Sequence, residues 1–341
     1  MIPLAIGQQQ TILNLYNSGI LAEVIALQMD MSEEEVLAII AKAKKEQEDG
    51  MKGTNRDEIA PTLPAEMKME GDKERHLDFP LISKLQLDKA VNVDYATKHA
   101  QLSMWSALKV KPDFDISLEE TQNALKNYAE SKATFVIIHV DLVDSTKLSM
   151  TLPIDRLTTI IQAFAQELSL VISSYGGYVL KYIGDAILAF FIVDSQNDLY
   201  LRCINAVDCG CTMIKVVRQG INPILNQSDY PELRIRIGID VGKNAVVKFG
   251  WNTRSLDGKV ITKAPHFDIL GYTISIATKM TAFAKPDQIV IGQLVYNVLD
   301  DEQKSTFRLL AINPNIWDYF SNITGGIYNL YGTLNEPEDH Q

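Results

Sequence analysis

The stretch Gly176–Phe191, GGYVLKYIGDAILAFF, decides how the rest of the chain is read. Tyr178 to Tyr182 and Ala186 to Phe191 are two short runs rich in β-branched and aromatic residues, the composition of strands. Ile183-Gly184-Asp185 is the tight turn between them, and Gly176-Gly177 ends the helix before them. That helix, Ile154 to Ser174, is amphipathic, with Leu157, Ile160, Ile161, Phe164 and Leu168 on one stripe. Upstream of it, Phe135 to Val140 is a nearly continuous apolar run, suited to a buried central strand. Downstream, a second helix is expected over Asp198 to Gln219. Leu233 to Asp240 then alternates, with Leu233, Ile235, Ile237 and Ile239 on one face and Arg234, Arg236, Gly238 and Asp240 on the other. Ser275 to Ala284 reads as a helix and Gln288 to Gly292 as a strand. Strand, helix, hairpin, helix, strand predicts an α+β fold, a ferredoxin-like βαββαβ core with additions.

The remaining sequence frames this core. At 341 residues the chain exceeds one average domain. Residues 1–45 predict a small all-α unit: a helix around Ile12 to Tyr16, a break at Asn17-Ser18-Gly19, a helix through Leu21 to Gln28, and a capping-box pair, Ser32 with Glu35, ahead of a third. The outline resembles a helix-turn-helix module. Its five acids against three lysines argue against a DNA reader, so protein contact is the expected role. Residues 46–76, charged and glycine-bearing, read as a flexible linker. Residues 77–132 read as a helical connector, with Ser117 and Glu120 as a second capping pair. Residues 133–333 form the core domain and 334–341 a tail.

A net charge of −11 supplies no global attraction for nucleic acid or anionic lipid, so a polyanionic substrate needs placed cations and metal ions. Cys203, Cys209 and Cys211 are too few and too oddly spaced for a disulfide framework or a zinc site, and read as buried or partly buried helix thiols. No apolar run is long enough for a membrane span, and the amino terminus lacks the pattern of a secretion signal; a cytoplasmic protein is expected.

Two carboxylates carry the first chemical signal. Asp141 sits where the apolar central strand ends and Asp185 in the hairpin turn; with the hairpin beside that strand, both emerge on one edge of the sheet. Two hard oxygen donors there suit Mg²⁺, which takes a few carboxylates plus phosphate oxygens. Taken singly, each is an ordinary strand-end or turn aspartate. Asp141-Leu142-Val143-Asp144-Ser145-Thr146 strengthens the joint reading, because Ser145 and Thr146 open a helix whose free amides suit phosphate.

These segments resemble the class III adenylate and guanylate cyclases. Phe135 to Thr146, ending DLVDST, looks like the family's first metal-binding segment. GGYVLKYIGDAILAFF is similar to its most characteristic hairpin, LRIRIGIDVG (Leu233 to Gly242) to its phosphate-binding strand, and FDILGYTISIATKM (Phe267 to Met280) to the segment holding base-reading and transition-state residues. The resemblance implies that Asp141 and Asp185, helped by the Leu142 carbonyl, hold two Mg²⁺ (or Mn²⁺) per active site, and that Arg236 meets the triphosphate. Lys181 and Asp268 take the base-reading positions, and Ser275 and Lys279 the catalytic ones. A lysine donor beside a carboxylate fits adenine, so ATP is the expected substrate and cyclic AMP the product. Ser275 and Lys279 depart from the family's usual asparagine and arginine, and lysine lacks the planar fork of arginine. Trp251 to Pro265 is an insertion carrying Arg254, Lys259 and Lys263. In this family the site lies between two catalytic domains, so a single copy implies a homodimer. The alternatives are a cyclase for another nucleotide (GTP or a pyrimidine) and a degenerate nucleotide sensor. The turn motif of diguanylate cyclases is missing.

Overall fold

The computed structural model describes residues 6–51, 92–109, 114, 116–195, 197–250, 252–254, 260–262, 266–321 and 325–334. The chain divides into two compact units, Met1–Lys89 and Ala90–Gln341.

In the first unit, α1 (Ile6–Asn17), α2 (Ala22–Met29) and α3 (Glu33–Met51) pack around Ile12, Ile20, Val24, Ile25, Val36 and Ile40, all buried. Gly19, at φ +87°, makes the first turn. The Ser32–Glu35 capping box forms as expected: the Ser32 hydroxyl accepts from the Glu35 N–H at 3.3 Å, and the Glu35 carboxylate accepts from the Ser32 N–H at 3.1 Å. The third helix runs to Met51, into the segment read as linker; the rest of that segment lies outside the described residues.

The second unit opens with two connector helices, α4 (Val93–Lys109) and α5 (Glu119–Lys126). The expected Ser117–Glu120 box does not form. Leu118 takes the N-cap without a side-chain acceptor, and the Ser117 hydroxyl accepts instead from the Glu119 N–H. The core follows as β1 (Lys132–Leu142), α6 (Ser145–Thr151), α7 (Ile154–Ser174), β2 (Tyr178–Ile183), β3 (Ala186–Val193), α8 (Asp198–Lys215), α9 (Asn222–Gln227) and β4 (Ile235–Phe249). In the insertion, β5 (Asn252–Arg254) and β6 (Val260–Thr262) pair as a separate small ladder; the side chains of Arg254, Lys259 and Lys263 lie outside the described residues. Then come β7 (His266–Leu270), α10 (Tyr272–Met280), β8 (Gln288–Gly292), α11 (Gln293–Val298), α12 (Asp301–Ser305), β9 (Phe307–Leu309) and β10 (Leu330–Thr333).

Among the described residues, eight strands form the main sheet in the order β2-β3-β1-β4-β8-β10-β9, with β7 also paired to β4. The β2-β3-β1-β4 part is antiparallel throughout and is the ferredoxin-like core. The apolar run Phe135 to Val140 is buried as the central strand, as its composition demands.

Helix α8 outruns the sequence expectation. It passes through a π-helical turn, Val216–Ile221, into α9. Pro223 has no N–H to offer the Gln219 carbonyl four residues back. Gln101 of α4 takes up that carbonyl, donating from Nε2 at 2.8 Å. A second polar contact between connector and core joins His99 of α4 to the buried Glu167 of α7, also at 2.8 Å. Of the three thiols, Cys203 and Cys209 are buried in α8, but Cys211 is exposed, contrary to the reading of all three as sheltered.

Helix α10 begins at Tyr272, three residues before the sequence expectation, and lies directly on β4. Gly238 makes this approach feasible: a Cβ there would stand 2.1 Å from the Ala277 carbonyl oxygen.

Candidate active site

Strand pairing builds the first half of the site. β1 and β3 are in register through His139↔Leu188 and Val140↔Ile187, which brings the hairpin turn holding Asp185 beside the end of β1 holding Asp141. Gly184, at φ +65°, is the turn residue that permits this. On the other side of β1, Asp141 is directly opposite Arg236 of β4. The Arg236 guanidinium donates to Asp141 Oδ2 at 2.5 Å, and both side chains remain about a quarter exposed. Asp185 Oδ2 is buried and has no hydrogen-bond partner. An orphaned carboxylate oxygen beside a second carboxylate is an acceptor set awaiting a cation.

The donor chemistry fits magnesium or manganese better than a metal with an all-protein cage. No cluster of three or more His, Cys, Asp or Glu exists among the described residues, which leaves backbone carbonyls such as that of Leu142, substrate and water to complete the coordination. Asp144, in the left-handed region at φ +55°, swings the chain from β1 into α6 and places Ser145 and Thr146 on the same cleft as Asp141, Leu142 and Arg236.

His139 lies under this half and escaped the sequence reading. It is buried, its Nδ1 has no partner, and desolvation lowers its pKa despite the fields of Asp141 and Asp185. The signal was present: a polar residue inside an apolar run, two positions before Asp141 and therefore on the same face of the strand.

The second half holds Lys181 and Asp268. In β2 the register against β3 slips between Val179 and Lys181, a bulge that leaves Leu180 as the extra residue in the core and re-aims Lys181. Lys181 Nζ reaches Asp268 Oδ2 on β7 at 2.6 Å. The other carboxylate oxygen of Asp268 accepts from the Ile269 N–H at 2.8 Å. The two residues expected to face the base are thus brought together.

Ser275 and Lys279 stand one turn apart on the exposed face of α10, while Ile276, Ala277 and Met280 face the core. Lys279 Nζ lies 5.2 Å from the centroid of the Tyr319 ring, a cation–π contact that orients it. Asp240, on the Gly238 face of β4, is fully buried. It accepts a 2.6 Å hydrogen bond from Tyr328, and desolvation raises its carboxyl to about 7.

A profile of the family described as "Adenylate and Guanylate cyclase catalytic domain" matches residues 127–313, more than half of the chain. Among characterised proteins, a cytidylate cyclase of Staphylococcus aureus is 25% identical over 180 residues, covering 52% of this chain and 40% of that protein. A cytidylate cyclase of Escherichia coli is 27% identical over 161 residues, covering 46% and 33%. A uridylate cyclase of Burkholderia cepacia is 26% identical over 193 residues, covering 56% and 77%. The match thus spans less than half the length of the Staphylococcus and Escherichia relatives. Among solved structures, the adenylyl cyclase CyaB of P. aeruginosa superposes with a TM-score of 0.48 at 21% identity, over 62% of this chain and 98% of that one. No helix among the described residues is long and apolar enough to cross a membrane. With the four family segments assembled on one sheet and the profile covering them, the chain belongs to the adenylate and guanylate cyclase catalytic domain family.

Proposed function

We propose that this protein converts a nucleoside triphosphate whose base carries a purine 6-amino or pyrimidine 4-amino group, ATP or CTP, into its 3′,5′-cyclic monophosphate and pyrophosphate. The observation that carries the base preference is the Lys181–Asp268 pair. A lysine donor and a carboxylate acceptor complement an edge that accepts at a ring nitrogen and donates from an amino group. Adenine offers this pair at N1 and its 6-amino group, and cytosine at N3 and its 4-amino group. Guanine and uracil present the reverse, a carbonyl beside a ring N–H. The pair therefore sorts amino bases from keto bases and leaves purine against pyrimidine to the depth of the pocket. ATP follows from the sequence reading; the cytidylate cyclase relatives favour CTP as the second reading.

In the reaction, the 3′-hydroxyl oxygen bonds to the α-phosphorus, the bond to the departing diphosphate breaks, and the hydroxyl proton is released. Asp141 and Asp185 would hold the two Mg²⁺ or Mn²⁺ ions, which lower the pKa of the attacking hydroxyl and neutralise the leaving diphosphate. Arg236 leaves Asp141 to bind the triphosphate. Ser145 and Thr146 offer amides at the start of α6, and Lys279, steered by Tyr319, puts positive charge at the α-phosphate. Ser275 holds the ribose with one hydroxyl. A homodimer joins the Asp141–Arg236 half of one subunit to the Lys181–Asp268 half of the other.

The test is purified protein with Mg²⁺ or Mn²⁺ and each of the four triphosphates, with products identified by mass. Cyclic AMP or cyclic CMP is expected. A product from GTP or UTP alone overturns the amino-base reading. No product from any of them, with nucleotide still bound, favours a sensor.

A further inference from the structure

Helix α5 stands outside the strands of the sheet, yet it is bonded to both strands that carry the base-facing pair. The Thr121 hydroxyl, buried, donates to the Val179 carbonyl of β2 at 2.7 Å. Gln122 binds β7 twice: its Oε1 accepts from the Phe267 N–H at 2.8 Å and its Nε2 donates to the Phe267 carbonyl at 3.0 Å. Phe267 sits opposite Lys248 of β4, and its own N–H and carbonyl turn away from β4 toward the strand's open edge. The Gln122 amide occupies that edge as the peptide group of a neighbouring strand would. Leu125 of the same helix is fully buried in one apolar cluster with Leu180 of β2 and with Phe267 and Ile269 of β7.

The contacts fall next to the pair they serve. Val179 is the last residue in register before the bulge that turns Lys181 toward Asp268, and Phe267 immediately precedes Asp268. The sheet order leaves β2 and β7 without a hydrogen-bonded ladder between them. Their separation is set by the shared core and by α5, which is tied to each.

We propose that Thr121 and Gln122 are positioning residues for base recognition: α5 fixes the gap between β2 and β7, and so the spacing of Lys181 and Asp268. This rests on the base-reading role of that pair argued above. Neither residue touches substrate in this scheme. Base recognition should therefore suffer when α5 loosens, while the Asp141–Asp185–Arg236 half, on β1, β4 and the hairpin turn, keeps its geometry.

The experiment compares the full-length protein with Gln122→Leu, Thr121→Val and the conservative Thr121→Ser. Equilibrium binding of 3′-deoxy-ATP, 3′-deoxy-CTP, 3′-deoxy-GTP and 3′-deoxy-UTP is measured with Mn²⁺; these analogues lack the attacking hydroxyl and report recognition without chemistry. Hydrogen exchange of the 266–270 segment is followed in parallel. Gln122→Leu should speed exchange at Phe267, weaken the preferred amino-base analogue about tenfold, and leave the keto-base analogues within about twofold, narrowing the discrimination ratio. Thr121→Val should act in the same direction and Thr121→Ser should match wild type. Faster exchange with unchanged discrimination, or an equal loss for all four analogues, overturns the positioning role, as does unchanged exchange in Gln122→Leu. Wild-type protein that binds amino-base and keto-base analogues alike overturns the base-reading pair itself, a different failure visible before any variant is compared.

Discussion

At the residue scale the site is a set of charges already answered by other charges. Asp141 is held by Arg236 and Lys181 by Asp268, while Asp185 keeps one buried oxygen unanswered. Replacing Asp141 or Asp185 by Ala should cut cyclisation by ~10²-fold or more, because each supplies one of the two carboxylates proposed to hold the metal ions. Turnover with Mn²⁺ checks this, alongside a melting curve to show that the fold survives. Lys181→Glu combined with Asp268→Cys should move preference from ATP or CTP toward GTP, read by competition among the four triphosphates; an unchanged preference would detach these residues from the base. Asp240 gives a pH signature. Its carboxyl is raised from 3.8 to about 7 by burial, so the folded state holds a proton that the unfolded chain releases. That contribution to stability is present in full below about pH 4 and is lost as pH rises to about 7, flattening above it. Chemical denaturation across this range should show a steeper decline in wild type than in Asp240→Asn, which keeps only the share of other buried carboxyls such as Asp208 and Asp287. Asp141 and Asp185 stood out in the sequence at a strand end and in a turn, whereas Lys181 and Asp268 were singled out through the family resemblance, and the structure brings these two together. The Asp141–Arg236 contact spans 95 residues of sequence and Tyr328–Asp240 spans 88, and no local pattern encodes such partners.

At the element scale, periodicity located most strands and helices and misplaced their ends. Ile154–Ser174 and Gln288–Gly292 were read as they stand, because their apolar stripes begin and end with the element. The α8 continuation lies past the expected end at Gln219, where Gly220 and Pro223 disfavour a helix; a partner on α4 satisfies the Gln219 carbonyl that Pro223 leaves open. The failed Ser117–Glu120 box has the same lesson, since Glu120 lies on a helix whose neighbours, Thr121 and Gln122, are fixed by strands far along the chain. Helix α10 depends on one atom's worth of room. Gly238→Ala should push the helix off β4, lower the melting temperature by several degrees and reduce activity well beyond the loss of stability, since Ser275 and Lys279 ride on that helix. A Gly238→Ala protein with wild-type turnover and melting point would show that the contact relaxes without cost.

At the scale of the whole molecule the two halves of the site predict their own assembly. If the proposed homodimer shares its sites, Asp141→Ala mixed with Lys181→Ala should regain activity that neither has alone, because a mixed dimer would hold one pocket built from the two intact halves. The recovered rate should not exceed about half of wild type per mixed dimer; an isolated heterodimer that stays inactive would place both residues in one subunit's pocket. An all-α unit ahead of an α+β core was expected from the hydrophobic period, but the boundary was not: the helices described within 77–132, read as a separate connector, belong to the second unit. What the small helical unit contacts was not legible, since a net-acidic composition argues against a DNA reader without naming a partner.

The mutual pairing of the site's charges has a further consequence, for the approach of substrate rather than its conversion. With Arg236 covered by Asp141 and Lys181 by Asp268, each pair sums to zero at long range, and the surrounding chain carries −11. A bare triphosphate coming from solution meets repulsion, and one whose phosphates are already complexed with a divalent ion, still negative but less so, meets a weaker repulsion. On the proposed function, such a site would favour capture of the metal–nucleotide complex over the bare nucleotide, and because complex and chain still share a sign, capture should speed up modestly as ionic strength rises.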